Sequence, residues 1–344
     1  MSGLNLVVMR NAVPVRDAAA DLPPEPLADF ELIRQRLAGE YVSPADLKGP
    51  LARRLAGSNK AAAAALAAFE ARAGAEILFT TGEDIAFRLL PLLNLTGWKG
   101  RLSSVIHASH SLKWRQAARL IGTGKVGCYF TVSTLQRDVL VQKAGLPASK
   151  VQFLYDSVDA DYFDPALSEP VSGDGYVFAC GLENRDYDTL SAAAAKVRCP
   201  IRVQASGYFP HAGATDADLP SNLEINRTRL SFADLRSRYA GARFVVVPLN
   251  AVPYAAGVNG LLEGMAMGKA VIVTESAGLS DYTGLDSLIK VPEADPARLA
   301  ETIEALWRDP AACEEMGRAN RAWILRHAHV EQYAATIADR MRAD

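Results

Sequence analysis

Hydrophobic and polar positions along this chain fall into two rhythms. Short apolar runs bounded by Gly, Pro or polar clusters alternate with longer stretches whose apolar residues recur every three or four positions. The short runs predict strands at residues 4–9, 76–80, 102–106, 129–133 and 151–154, and again at 176–180, 201–205, 223–226, 244–248 and 270–274. Near-continuous apolar strands suit a parallel sheet covered on both faces. The helical rhythm predicts helices at 45–72, 84–93, 112–120, 134–143, 231–239, 296–308, 311–328 and 330–341. In the first of these, the alanine run 61–68 favours helix because alanine loses no side-chain entropy on folding. Residues 17–26 read as a loop and 168–174, rich in Ser, Pro and Gly, as a linker. The alternation predicts an α/β fold in two similar halves.

Residues 244–282 carry the densest signal. A buried strand at 244–248 is followed by a glycine-bearing loop, then by Leu261, Leu262, Met265 and Ala266 at helical spacing, then by Gly268 and the strand 270–274. Gly257, Val258, Asn259 and Gly260 stand where the helix starts, so backbone N–H groups and the positive end of the dipole converge there. Such a terminus suits an anion, most naturally a phosphate. One turn on, Glu263 lies among Leu, Met and Ala, where a carboxylate needs partners. Two readings stand open: a ribose diol satisfies it, or a nearby Arg or Lys does.

Composition narrows the class. A chain of 344 residues, 49% hydrophobic, suits two domains with full cores. A formal net charge of −2 gives no global attraction to nucleic acid. Cys128, Cys180, Cys199 and Cys313 show no metal-ligand spacing and read as small apolar residues in a reducing compartment. With no signal-peptide pattern and no membrane-spanning run, the expectation is a soluble, cytoplasmic protein. The sequons at Asn94 and Asn226 are then incidental.

Three further places could carry chemistry. His107 ends the predicted strand 102–106, and ligands of open α/β sheets lie beyond the carboxyl ends of strands. A lone His is as readily structural, and His110 is the lesser candidate. The helix 112–120 carries Lys113, Trp114, Arg115 and Arg119, a face that reads as a solvated surface before it reads as a peripheral membrane contact. Arg185 follows the strand 176–180 and a glycine turn, placed either for a diphosphate or for an ion pair with Asp186 or Asp188. The GTGKVG string at 122–127 matches the dinucleotide fingerprint, but it follows a helix and precedes a strand, the reverse of the required context.

The segment LLEGMAMGKAVIVTES at 261–276 resembles the nucleotide-binding signature of the retaining glycosyltransferases of family 4, which have the GT-B fold. Glu263 falls on the second Glu of that family's paired-glutamate motif, and Ala255 stands where the first would be. The resemblance extends to His107 after RLSSVI and to the stretch 155–165, with Asp156 and Ser157 in place of Asn and Gly. Leu182 occupies the place of a usual arginine. It implies two Rossmann-like domains facing across a cleft: an acceptor-binding domain at 1–167, a nucleotide-sugar-binding domain at 175–328, and a terminal helix at 329–344 returning to the first.

It further implies sugar transfer with retention from a nucleoside-diphosphate sugar to an acceptor hydroxyl of unidentified kind. Neither a cofactor nor a metal is expected. His107 and Arg185 are the candidate catalytic residues. Gly257, Val258, Asn259, Gly260, Leu261 and Glu263 would bind the nucleotide, and the loop 206–220 is a candidate base wall by position. Because Ala255 and Leu182 depart from the pattern, the alternative is a noncatalytic GT-B-like protein that binds a nucleotide or partners an active transferase. A sugar-nucleotide epimerase ranks third, for want of acid/base carboxylates.

Overall fold

The computed structural model describes residues 4–11, 25–47, 54, 57–107, 112–121, 123–168, 175–206 and 219–343. The chain divides into two compact units, one built from the start of the chain, Ala28–Leu154 and Glu331–Asp344, the other chiefly from Tyr155–Val330. Each contains a six-stranded sheet whose neighbouring strands run parallel.

In the first unit the strands are β1 (Leu4–Val8), β2 (Glu40–Val42), β3 (Ala75–Thr80), β4 (Arg101–Ile106), β5 (Val126–Thr131) and β6 (Val151–Phe153), in the order β2-β1-β3-β4-β5-β6. All six residues of β5 are buried, as a strand covered on both faces requires. The helices are α1 (Asp29–Arg36), α2 (Lys60–Ala71), α3 (Glu83–Asn94), α4 (Leu112–Ile121) and α5 (Thr134–Asp138). The expected helix over 45–72 is interrupted. Pro44–Asp46 is a single 3-10 turn, and Asn59 is non-helical and caps α2 by accepting the Ala62 N–H at 3.1 Å. The helix expected over 134–143 continues past α5 as a π turn, Val139–Lys143. The glycine string at 122–127 does precede a strand, since Val126 and Gly127 open β5.

In the second unit the strands are β7 (Tyr176–Cys180), β8 (Ile201–Gln204), β9 (Leu223–Asn226), β10 (Ala242–Val247), β11 (Ala270–Thr274) and β12 (Leu288–Val291), in the order β12-β11-β10-β7-β8-β9. The helices are α6 (Tyr187–Ala194), α7 (Phe232–Gly241), α8 (Val258–Ala266), α9 (Pro296–Trp307) and α10 (Pro310–His327). The last helix, α11 (Val330–Ala343), runs into the first unit. Val245, Val246 and Val247 of β10 are at most 2% exposed, each contributing about 1.5–3 kcal/mol of burial.

Val158, Tyr162 and Phe163 of the stretch 155–165 are built into the second unit's core. The strand order reverses direction between β7 and β10, which leaves a crevice at their carboxyl ends, the usual place for a ligand in such sheets.

Candidate functional site

The loops that leave β7 and β10 are tied together at that crevice. Arg185 and Leu249 form an antiparallel bridge, the Asp186 N–H donates to Pro248 O at 3.1 Å, and the Asn250 N–H donates to Asn184 O at 3.0 Å. Asp186 is occupied as the cap of α6, accepting the Thr189 N–H at 2.9 Å. Among the described residues no ion pair joins Arg185 to Asp186 or Asp188.

Gly181 turns the chain out of β7 at φ 105°, a conformation that side chains disfavour. Its missing side chain makes room for Arg185, because a β-carbon there would stand 2.5 Å from Nη2 and 2.9 Å from Cζ. The guanidinium would likewise stand 3.2 Å from a β-carbon on Gly257 and 3.5 Å from one on Gly260. Three glycines thus frame one cation. Nε donates to Cys180 O at 3.0 Å and Nη1 to Glu183 O at 2.8 Å, leaving Nη2 without an acceptor among the described residues.

Gly257, at φ 85°, is the N-cap residue of α8 and supplies no side-chain cap. The Val258 N–H donates to Ala255 O at 3.4 Å and the Leu261 N–H to Gly257 O at 3.1 Å. The side chains of Val258 and Leu261 are buried in the core. What remains at the helix start is the N–H of Asn259 and of Gly260, which meet no backbone acceptor among the described residues, and Asn259 is exposed. Two N–H groups and a guanidinium therefore converge where an anion would sit. Ala255 packs against the core.

Glu263 is half-buried and meets neither Lys nor Arg in a hydrogen bond. Its partner is Tyr239, whose hydroxyl donates to Oε2 at 2.8 Å. Burial pushes the Glu263 carboxyl up to about 7, against the Tyr239 hydrogen bond and the Arg185 charge, which both pull it down. Burial likewise raises the neighbouring Cys180 thiol to about 12, so it is neutral at ordinary pH. Tyr239 itself is 0% exposed, edge-on to Phe178 at 5.0 Å and Phe163 at 6.2 Å. The end of α7 that carries it is fixed by Lys269, whose Nζ donates to Ala240 O and Ala242 O at 2.8 Å each.

His107 lies in the first unit, directly after β4. Its N–H donates to Glu83 Oε2 at 3.0 Å, and Gln136 Nε2 donates to its carbonyl at 2.7 Å. Both clamps are buried, Glu83 at 7% and Gln136 at 1% exposed, while His107 is exposed. The structure thus gathers Arg185, Gly257, Asn259, Gly260 and Glu263 within the second unit, and holds His107 at a strand end of the first. His110, the loop residues 207–218 and the side chains of Lys113, Trp114 and Arg115 lie outside the described residues; Arg119 is exposed on α4. Tyr239, Glu83 and Gln136 escape a reading by motif, since none belongs to one.

Among the described residues no three His, Cys, Asp or Glu side chains gather as metal ligands. No described helix is long and apolar enough to cross a membrane. Residues 175–309 match the family described as glycosyl transferases group 1. No curated protein matches the chain in sequence.

Solved structures match nearly its whole length at low identity. Sucrose-phosphate synthase from Thermosynechococcus elongatus is 15% identical, with 99% of this chain and 98% of that one covered at a TM-score of 0.68. Anabaena HepE, in complex with UDP and glucose, is 12% identical over 92% and 89%, at 0.65. A trehalose 6-phosphate synthase from Burkholderia multivorans is 10% identical over 96% and 89%, at 0.63. The fold is GT-B, with two Rossmann-like domains.

Proposed function

We propose that this GT-B chain is a glycosyltransferase that moves a sugar from a nucleoside-diphosphate sugar to an acceptor hydroxyl. The observation that carries the reading is the meeting of Arg185, the free N–H groups of Asn259 and Gly260, and Glu263 at the β7–β10 crevice. A diphosphate placed there faces a cation and two N–H donors, and the Glu263 carboxylate lies one turn along α8 for the ribose hydroxyls. The match of residues 175–309 to group 1 glycosyl transferases covers this whole arrangement and supports it.

In the reaction we propose, the bond from the anomeric carbon to the phosphate oxygen breaks and its electrons leave with the diphosphate. The acceptor oxygen bonds to the anomeric carbon from the same face, and its proton passes to the departing phosphate oxygen, so configuration is retained. Arg185 and the two N–H groups take up charge that grows as the diphosphate leaves, which favours the transition state over the bound donor. Metal is not required for that neutralisation. His107, fixed through its backbone by Glu83 and Gln136, presents an exposed imidazole that positions and polarises the transferring sugar.

The test is binding and slow hydrolysis of UDP-, GDP-, ADP- and TDP-sugars, by calorimetry and mass spectrometry. Selective binding abolished by Glu263→Ala, with hydrolysis lowered by His107→Ala, is expected. A folded protein that binds no nucleotide would refute the reading and bring forward a noncatalytic partner protein, to which the apolar setting of Ala255 and Leu182 would then belong.

A further inference from the structure

Tyr239 is a fully buried phenol near the end of α7 whose hydroxyl meets α8. It reaches Glu263 Oε2 at 2.8 Å and lies 3.5 Å from Gly260 O, while its ring is locked edge-on by Phe178 and Phe163. A buried hydroxyl in an aromatic setting needs a partner. Glu263 has no other hydrogen-bond donor among the described residues. Its second oxygen, Oε1, is therefore aimed by a single bond from one rigid phenol.

We propose that Tyr239 is a positioning residue for nucleotide recognition: it holds the Glu263 carboxylate ionised and oriented to accept the ribose hydroxyls of the donor. The inference rests on the nucleotide-binding reading of the site and adds to it the residue that makes Glu263 competent. A carboxylate accepts from both hydroxyls of a diol, whereas a protonated carboxyl spends one oxygen as a donor. Binding of a ribonucleotide is then strongest with Glu263 ionised and declines as pH falls through its pKa.

The groups that face Glu263 are few. Arg185, from the loop after β7, favours the carboxylate by its charge, and Tyr239 of α7 favours it by its hydrogen bond. The Cys180 thiol at the end of β7 is neutral. Arg321 of α10, which packs on the same helix, reaches Ala266 O at the far end of α8. Removing the Tyr239 hydroxyl leaves burial opposed by Arg185 alone, so the carboxyl protonates at higher pH.

The experiment measures affinity for UDP, GDP, ADP and their 2′-deoxy counterparts from pH 5.5 to 8.5, about the range over which such a group titrates. It compares wild type, Tyr239→Phe, Glu263→Gln and the double variant, each checked for a cooperative melt. Tyr239→Phe keeps the ring and removes one oxygen. The expected result is about tenfold weaker ribonucleotide binding at pH 7, an acid limb moved up by about one pH unit, and reduced preference for ribose over 2′-deoxyribose. In the Glu263→Gln background binding is weak and flat with pH, and adding Tyr239→Phe changes it less than about twofold.

A Tyr239→Phe protein with the wild-type acid limb and ribose preference would overturn the proposal while leaving the nucleotide site intact. So would equal weakening of ribo- and deoxyribonucleotides, the mark of a merely structural role. A wild-type protein that binds none of the six nucleotides would overturn both this inference and the reading beneath it.

Discussion

Gly181 is the position where one methyl group tests the most geometry. An alanine there must hold φ near 105°, which costs an L-residue about 1–2 kcal/mol. Its β-carbon would lie 2.5 Å from Arg185 Nη2 and 2.9 Å from Cζ, so the guanidinium must leave its seat. Leaving breaks the bonds to Cys180 O at 3.0 Å and Glu183 O at 2.8 Å, each contributing about 1 kcal/mol net.

The sum is about 3–4 kcal/mol, and for a unit of the size of Tyr155–Val330 it lowers the melting temperature by about 10 °C. Nucleoside diphosphate affinity falls about tenfold to a hundredfold as a charged contact to the phosphates is lost. Calorimetric melts and titrations read both effects. The double variant with Arg185→Ala separates the terms, because without the guanidinium the alanine costs only its backbone strain. Gly181→Ala melting within about 1 °C of wild type and binding nucleotide normally would refute the seating of Arg185 against Gly181.

Glu263→Gln is expected to stabilise the unliganded protein at pH 8. A carboxyl whose folded pKa is raised from 4.5 to about 7 binds more protons folded than unfolded between those values, so stability falls as pH rises through that window. The variant's gain, at most about 3 kcal/mol, should fade as the pH approaches 4.5, and denaturant melts at three pH values would expose a flat difference. Glu83→Ala frees the His107 N–H from its buried acceptor and should cost about 1–3 kcal/mol, with turnover lowered alongside. Glu83→Gln, which still offers an oxygen, should recover most of the stability; equal loss in both would sink the clamp.

Much of the second unit is legible in the sequence because its strands are long apolar runs. FVVV and AVIV at 244–247 and 270–273 need both faces covered, and the helix between them starts at a glycine that turns out to sit at φ 85°. The first unit reads less well. Strand β2 has three residues, Glu40, Tyr41 and Val42, too few for any period, and α1 follows a stretch without a cap side chain, as Ala28 shows. Strand β12, with Lys290 exposed between Ile289 and Val291, is short and mixed in the same way.

At the site, the residues that belong to one turn or one helix start could be named in advance: Arg185, Gly257, Asn259, Gly260 and Glu263. The Glu263 to Tyr239 bond could not, because 24 positions separate the two and their meeting depends on β10 lying beside β7 rather than beside β9. Nor could the clamps on His107, since Glu83 and Gln136 come from two different helix starts.

The route of the chain between its two units sets an order for its synthesis. Residues Tyr155–Val330 emerge before all but the first residue of α11, and their entry and exit are joined to each other, with the Val158 N–H donating to Ala328 O at 2.9 Å and the Val330 N–H to Val158 O at 3.1 Å. The first unit begins earlier and finishes later. Its last piece, α11, brings Glu331 to Arg36 at 2.7 Å, Arg340 to Ser149 O at 2.9 Å and Arg342 to Arg36 O, contacts with residues translated before Tyr155–Val330. On the ribosome the first unit therefore stays incomplete until α11 emerges, while the second can already close. A stop codon that removed α11 would therefore damage the first unit rather than the second.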